Sequence, residues 1–145
     1  FECSVKNSNV LDLFSGSGSF GIECISRNAK KVTFIENYKE ALSILRKNIS
    51  LIKSEKNTQI IEEDCFNYLK KDRILPKKFN IIFLDPPYKE KNLNSLIDLI
   101  IDKKILDKKG ILIIHRHKKD DLEISKKIQI LDERNYGISK IMIGG

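Results

Sequence analysis

Apolar positions along this chain follow two periods. Short unbroken runs such as Val10-Leu11, Val32-Thr33-Phe34-Ile35 and Ile81-Ile82-Phe83-Leu84 suit strands buried on both faces. Longer stretches place apolar residues three and four apart. Ala41, Leu42, Leu45, Ile49 and Ile52 form one such stripe, and Leu96, Ile97, Ile100 and Ile101 another. Strands are predicted near 9–14, 31–36, 58–62, 79–84 and 110–115, with helices near 18–27, 38–52, 65–71 and 92–103. After 115 the pattern changes. Lys127 to Glu133 alternates, Tyr136-Gly137 reads as a turn, and Ser139 to Ile143 alternates again, which predicts an antiparallel hairpin. The expected fold is α/β: a Rossmann-like, doubly wound, mostly parallel seven-stranded sheet with right-handed crossovers and a C-terminal antiparallel hairpin. No repeat, low-complexity segment or internal boundary interrupts it, so residues 1–145 are expected to form a single domain.

Candidate chemistry gathers where these strands end. Asp85-Pro86-Pro87-Tyr88 follows the run ending at Leu84. Two prolines cannot continue a ladder, so the strand stops there. Ligands of open α/β sheets bind at this carboxyl edge. Asp85 and the Pro86 carbonyl can each accept an N–H bond from a planar amine. Tyr88 can stack on a ring, and Pro86 and Pro87 pre-aim the acceptors. The plainer alternative is a strand ending in a turn, with Asp85 as an Asx-type cap.

A second signal lies at Asn9 to Phe14, a buried strand running into Ser15-Gly16-Ser17-Gly18-Ser19-Phe20-Gly21. Gly16, Gly18 and Gly21 satisfy G-x-G-x-x-G, with Glu36 at the end of the next strand, so a dinucleotide dehydrogenase competes. Asp12 argues against it, because a carboxylate beneath the glycines repels a pyrophosphate and attracts an ammonium. Glu36 can accept both ribose hydroxyls. Asp64 follows the strand at Thr58 to Ile61. Asp12, Glu36, Asp64 and Asp85 thus give successive acidic strand ends, although each alone reads as a solvated carboxylate.

Composition narrows the classes. The chain has 145 residues, 41% hydrophobic, enough for a packed core and too apolar for disorder. No apolar run approaches a membrane span and no signal peptide opens the sequence. Cys3, Cys24 and Cys65 lack C-x-x-C spacing and read as reduced structural thiols of a cytoplasmic protein. His115 and His117 have no metal-ligand company, and no metal is expected. The formal charge of +7 suits a polyanionic partner. Lys30, Lys31, Lys77, Lys78, Lys108 and Lys109 precede strands and belong to the edge away from the site. Lys89, Lys91, Arg116, Lys118 and Lys119 follow strands and are expected to rim it, where nucleic-acid phosphates would pass.

These residues carry a family resemblance. Asp12-x-Phe14-x-Gly16-Ser17-Gly18 resembles the S-adenosylmethionine (SAM) loop of class I methyltransferases, and Asp85-Pro86-Pro87-Tyr88 resembles their amino-methylating motif. Together with Gly21-Ile22-Glu23, Ser26-Arg27-Asn28-Ala29 and Val32 to Glu36, the chain is similar to the bacterial 16S rRNA guanine-N2 methyltransferase family. The resemblance implies SAM as cofactor, with Asp12, Phe14, Gly16, Ser17, Gly18 and Glu36 binding it. It also implies Asp64, Cys65 and Phe66 at the adenine, Asp85 to Tyr88 at the target amine, and ribosomal RNA or the small subunit as partner of a monomer. Family members carry a further N-terminal segment, so the chain reads as lacking it. Another amino-methyltransferase, for instance on DNA adenine-N6, and a non-catalytic remnant remain alternatives. A glutamine-modifying relative usually has Asn where this chain has Asp85.

Overall fold

Strand alternation divides the core between the two faces of a sheet. The computed structural model describes residues 5–71, 78–87 and 90–145. Cys3, Lys77, Tyr88 and Lys89 therefore lie outside the described residues. The strands are β1 (Asn9–Leu13), β2 (Lys31–Glu36), β3 (Thr58–Glu62), β4 (Phe79–Leu84), β5 (Leu106–His117), β6 (Ile130–Tyr136) and β7 (Ser139–Gly144). They pair in the order β3-β2-β1-β4-β5-β7-β6. The first five in that order are parallel, and β7 and β6 are antiparallel. The helices are α1 (Ser19–Ser26), α2 (Lys39–Leu51), α3 (Cys65–Lys70) and α4 (Leu93–Asp102). The predicted doubly wound sheet with its C-terminal hairpin is the observed one.

Val10, Val32, Phe34, Ile81 and Ile113 point to one face, packing against Cys24 of α1 and Leu45 and Ile49 of α2. Leu11, Leu13, Ile35, Ile82, Leu84, Leu112 and Ile114 point to the other, against Leu69 of α3 and Leu93, Leu96, Ile97 and Ile100 of α4. The α4 residues are 0% exposed. Each such side chain stabilises the fold by about 1.5–3 kcal/mol through burial, and truncating one to alanine costs about 2–5 kcal/mol.

Helix bounds fall within one residue of the sequence reading. Strand bounds differ more, β5 running on to His117 and β6 starting only at Ile130, and two further differences have a plain cause. β1 ends at Leu13 because Phe14 turns into the left-handed region, with φ 59°. β5 starts at Leu106, ahead of the predicted 110, because Phe79 pairs with Leu106 and an irregularity before Ile81–Ile111 absorbs Asp107-Lys108-Lys109. Lys108 and Lys109 are thus exposed residues inside the strand's first half, still at the edge opposite the glycine loop.

Arg116 corrects a further expectation. Strand alternation puts it with Leu112 and Ile114 on the α4 face, and it is only 5% exposed. Its Nη1 donates to the Leu122 carbonyl at 2.7 Å, and its Nη2 donates to Asp120 Oδ1. The Leu122 amide donates to the same Asp120 oxygen at 3.0 Å. The guanidinium therefore fastens the segment after β5 to the sheet and is not available to rim phosphates. The Arg116 hydrogen bond holds the Asp120 carboxyl below the usual carboxylate range. Arg116→Met keeps the length and removes the charge. It is expected to lower the unfolding free energy by about 1.5–3 kcal/mol near neutral pH. A lowered carboxylate pKa stabilises the fold above the unfolded pKa and loses that contribution as pH falls through the folded one. The deficit of the variant in urea unfolding should therefore shrink in acid.

Candidate active site

The site forms where β1 and β4 lie side by side and the chain leaves them in different directions. β1 pairs with β2 on one side and β4 on the other. The loop after β1 and the Asp85-Pro86-Pro87 turn after β4 are therefore neighbours across a topological switch point.

The glycine loop is held by its own polar atoms. The Ser15 amide donates to the Ile35 carbonyl at 3.2 Å, and its hydroxyl donates to the Asp12 carbonyl at 2.7 Å. Gly16 has φ +56°, and no atom lies within 4 Å of where a Cβ would stand, so it leaves open space for a ligand. Gly18 has φ +85° and is packed, because a Cβ there would strike Leu45. A Cβ on Gly21 would strike Phe34. The fingerprint thus splits into an open glycine, one that admits Leu45 of α2 and one that lets α1 lie against Phe34 of β2. Ser17 is exposed; its hydroxyl is 3.0 Å from that of Ser19.

Glu36 clamps the loop from β2. Its Oε1 accepts the Gly16 amide at 2.7 Å, and its Oε2 accepts the amides of Asn37 at 3.0 Å and Tyr38 at 3.1 Å. Asp64 accepts the Asn67 amide at 3.1 Å and caps α3. Cys65 is buried against Leu69 and Ile35 in the core, and burial pushes its thiol up to about 12, as it does that of Cys24. Both are neutral thiols. Phe66 packs partly buried beside the same cluster.

Asp12 is the most perturbed group. It is 1% exposed, and its Oδ2 accepts the Gly21 amide at 3.3 Å. Its Oδ1 is buried without a hydrogen-bond partner. Burial raises its pKa to about 8; the Gly21 amide opposes the rise, and the charges of Asp85 and Glu36 add to it. An unpartnered buried carboxyl oxygen amid further acids favours a cationic ligand and disfavours a pyrophosphate.

A cavity of about 550 Å³ opens between the two loops, within the range of small-molecule sites. Phe14, Ser15, Gly16, Ser17 and Ser19 line one side. Phe20 and Phe83 form its wall, stacked with centroids 4.0 Å apart and planes 8° from parallel. Asp85, His115, Ile113 and Ile141 line the other side. Of the expected residues, Phe14, Gly16, Ser17 and Asp85 meet here. Asp12, Gly18, Glu36, Asp64, Cys65 and Phe66 do not line the cavity. Pro86 is half-buried and Pro87 exposed, and the Pro87 carbonyl accepts the Glu90 amide at 2.9 Å. Lys91, Lys118 and Lys119 are exposed beyond their strand ends.

His115 is the residue sequence reasoning set aside. Its Nδ1 lies 2.7 Å from Asp85 Oδ1. The signal was present: Leu84 pairs with Ile114, so the next residues, Asp85 and His115, emerge at the same level from adjacent parallel strands.

Comparison with known proteins agrees with this arrangement. Residues 1–144 match the family model described as Conserved hypothetical protein 95. A Buchnera aphidicola protein named Ribosomal RNA small subunit methyltransferase D is 38% identical over 122 residues, which cover 84% of this chain and 62% of that protein. The chain thus spans less than two thirds of that relative's length. A conserved hypothetical protein of Streptococcus pyogenes superposes with a TM-score of 0.86 at 29% identity, over 96% of this chain and 86% of that one. A chain solved in complex with S-adenosylhomocysteine superposes with a TM-score of 0.80 at 20% identity, over 97% of this chain and 46% of that one, a likeness of fold alone. The match over residues 1–144 means that this chain belongs to the Conserved hypothetical protein 95 family, with proteins named Ribosomal RNA small subunit methyltransferase D among its relatives.

Proposed function

We propose that this chain, folded as one domain, uses SAM to methylate the exocyclic amine of a base, guanine N2 of small-subunit ribosomal RNA. One observation carries the reading. The Gly16 loop and Asp85, the first residue of the Asp85-Pro86-Pro87 turn, line the same cavity, in a chain whose relatives are named for methylating this RNA.

Asp12 supports the cofactor's ammonium, Glu36 its ribose through remaining acceptor capacity, and Asp64 with Phe66 its adenine. When bound, SAM supplies an electrophilic methyl group on a sulfonium sulfur, which the amine nitrogen takes as the thioether departs. Asp85 and the Pro86 carbonyl accept the amine's N–H bonds, which favours a pyramidal nitrogen with its lone pair free. Asp85 then takes the proton that the nitrogen must lose. Positioning and a fixed electrostatic field supply most of the acceleration. Tyr88 remains the candidate for stacking on the base.

Asp85 meets the amine and not the cofactor. Asp85→Ala is therefore expected to reduce transfer of labelled methyl to 16S rRNA or small subunits by at least about 10²-fold. Calorimetric affinity for S-adenosylhomocysteine should stay within a few fold; equal loss of both would sink the assignment.

Asp12 couples cofactor binding to protons. With its pKa near 8 in the ligand-free protein, it is mostly protonated at neutral pH. A cation beside it favours the carboxylate, so binding SAM should release up to about one proton. Calorimetry in buffers of different ionisation enthalpy reads this directly, and Asp12→Asn should abolish it. The same shift means that ligand-free stability falls as pH rises from the unfolded carboxylate range toward 8, because the unfolded chain gives up the proton first.

The basic rim meets phosphates. A target base must leave its stack at a cost of a few kcal/mol, which phosphate contacts can offset. Neutralising Lys91, Lys118 and Lys119 is expected to lower the slope of log affinity against log salt by roughly 0.7–0.9 for each lysine–phosphate pair removed. Neutralising Lys30, Lys31, Lys108 and Lys109 should do much less. Equal effects would mean that net charge alone governs RNA binding.

A further inference from the structure

We propose that His115 is a positioning residue for Asp85, holding one carboxylate oxygen so that the other is presented to the substrate amine. The inference rests on the proposed amine methylation and deepens it.

Among the described residues little else fixes Asp85. It follows the last residue of β4, precedes two prolines, and its side chain is 45% exposed. Among the described residues, His115 Nδ1 is its only hydrogen-bond partner, at 2.7 Å from Oδ1. A free carboxylate on such a turn samples several rotamers and presents either oxygen. An ionised carboxylate can only accept, so the shared proton sits on His115 Nδ1. That bond occupies Oδ1 and leaves Oδ2, on a residue that lines the cavity, to accept from the amine.

His115 is itself well anchored. Its backbone lies in β5, between Asp85 on one side and its register partner Ile141 of β7 on the other. Both imidazole and carboxylate line the cavity. In the transfer step the nitrogen–carbon bond forms as the carbon–sulfur bond breaks, and the sulfur keeps that electron pair. The proton left on nitrogen goes to Asp85 Oδ2. His115 keeps its Nδ1 proton throughout and touches neither substrate nor cofactor in this scheme.

The test compares His115→Ala with His115→Asn, whose amide nitrogen stands close to where Nδ1 stood. With small subunits and labelled SAM, His115→Ala should lower kcat by about 10–100-fold, the scale of a misplaced catalytic group. KM for the subunit and affinity for S-adenosylhomocysteine should stay within about threefold. His115→Asn should recover most of the lost kcat. Unchanged kcat in the alanine variant, a loss confined to KM, or an asparagine variant no better than alanine would each overturn the proposal. Nitrogen-15 NMR of the His115 ring gives a readout independent of turnover. The Nδ1–H tautomer is expected in the ligand-free protein and should disappear in Asp85→Ala; a ring protonated only on Nε2 would overturn the pairing. A wild-type chain that transfers no methyl to any amine would defeat the proposed reaction, while the ring spectrum would still decide the Asp85–His115 contact.

Discussion

Everything at the site depends on the pairing of β1 with β4. Leu13 lies opposite Leu84, so both strands end at the same level. One chain turns away through Phe14 into a glycine loop and the other through two prolines. This in-register pairing brings an open loop, a buried carboxyl and a rigid acceptor turn to one edge of the sheet. The backbone geometry on each side enforces the opening. Phe14, a bulky residue with φ 59°, is strained by about 1–3 kcal/mol. That strain aims Ser15 and Gly16 at the cavity, and the hydrogen bonds of Ser15 to Asp12 and Ile35 hold it in place.

Most of the fold was legible because its strands are buried on both faces. Ile81-Ile82-Phe83-Leu84 has no polar side to misread, and α2 and α4 each bury one stripe. The unread parts are those where local pattern and tertiary packing disagree. Asp107-Lys108-Lys109 carries charges that look like a loop, yet pairing of Leu106 with Phe79 extends β5 through them. Ile130 starts β6 later than alternation from Lys127 suggested, with a register irregularity before Asp132. Arg116 was grouped with Lys118 and Lys119 by charge and strand direction. The period of two along Leu112, Ile114 and Arg116 placed it on the buried face all along, and only its partners, Asp120 and the Leu122 carbonyl, make that burial tolerable.

The candidate site was legible at its two loops and less so at their supports. Gly16, Ser17 and Asp85 reach the cavity as the motifs suggested. Glu36 and Gly18 have roles that a motif does not disclose, one clamping the Gly16 amide and the other admitting Leu45 beneath the loop. His115 escaped notice because it was weighed as a metal ligand and not as a hydrogen-bond donor. Strand register, which a single sequence does not print, is what makes it the neighbour of Asp85.

Charge is arranged as a contrast. Asp12, Glu36 and Asp85 gather acidic groups at the site, and burial, with a smaller addition from Asp85 and Glu36, drives Asp12 toward its neutral form. Lys91, Lys118 and Lys119 are exposed in the segments that follow β4 and β5, in a chain of net charge +7. A field of one sign inside and the other outside separates two ligands by charge. A sulfonium with an ammonium is drawn inward, where low dielectric makes each carboxylate count. On the proposed function a phosphate chain would lie outside the cavity, where water and salt weaken each contact but their number compensates. A dinucleotide would need its pyrophosphate beside Asp12, the one place where the described residues bury an unpartnered acidic oxygen. The same carboxyl that makes the ligand-free protein less stable as pH rises toward 8 thus disfavours a pyrophosphate at the glycine fingerprint.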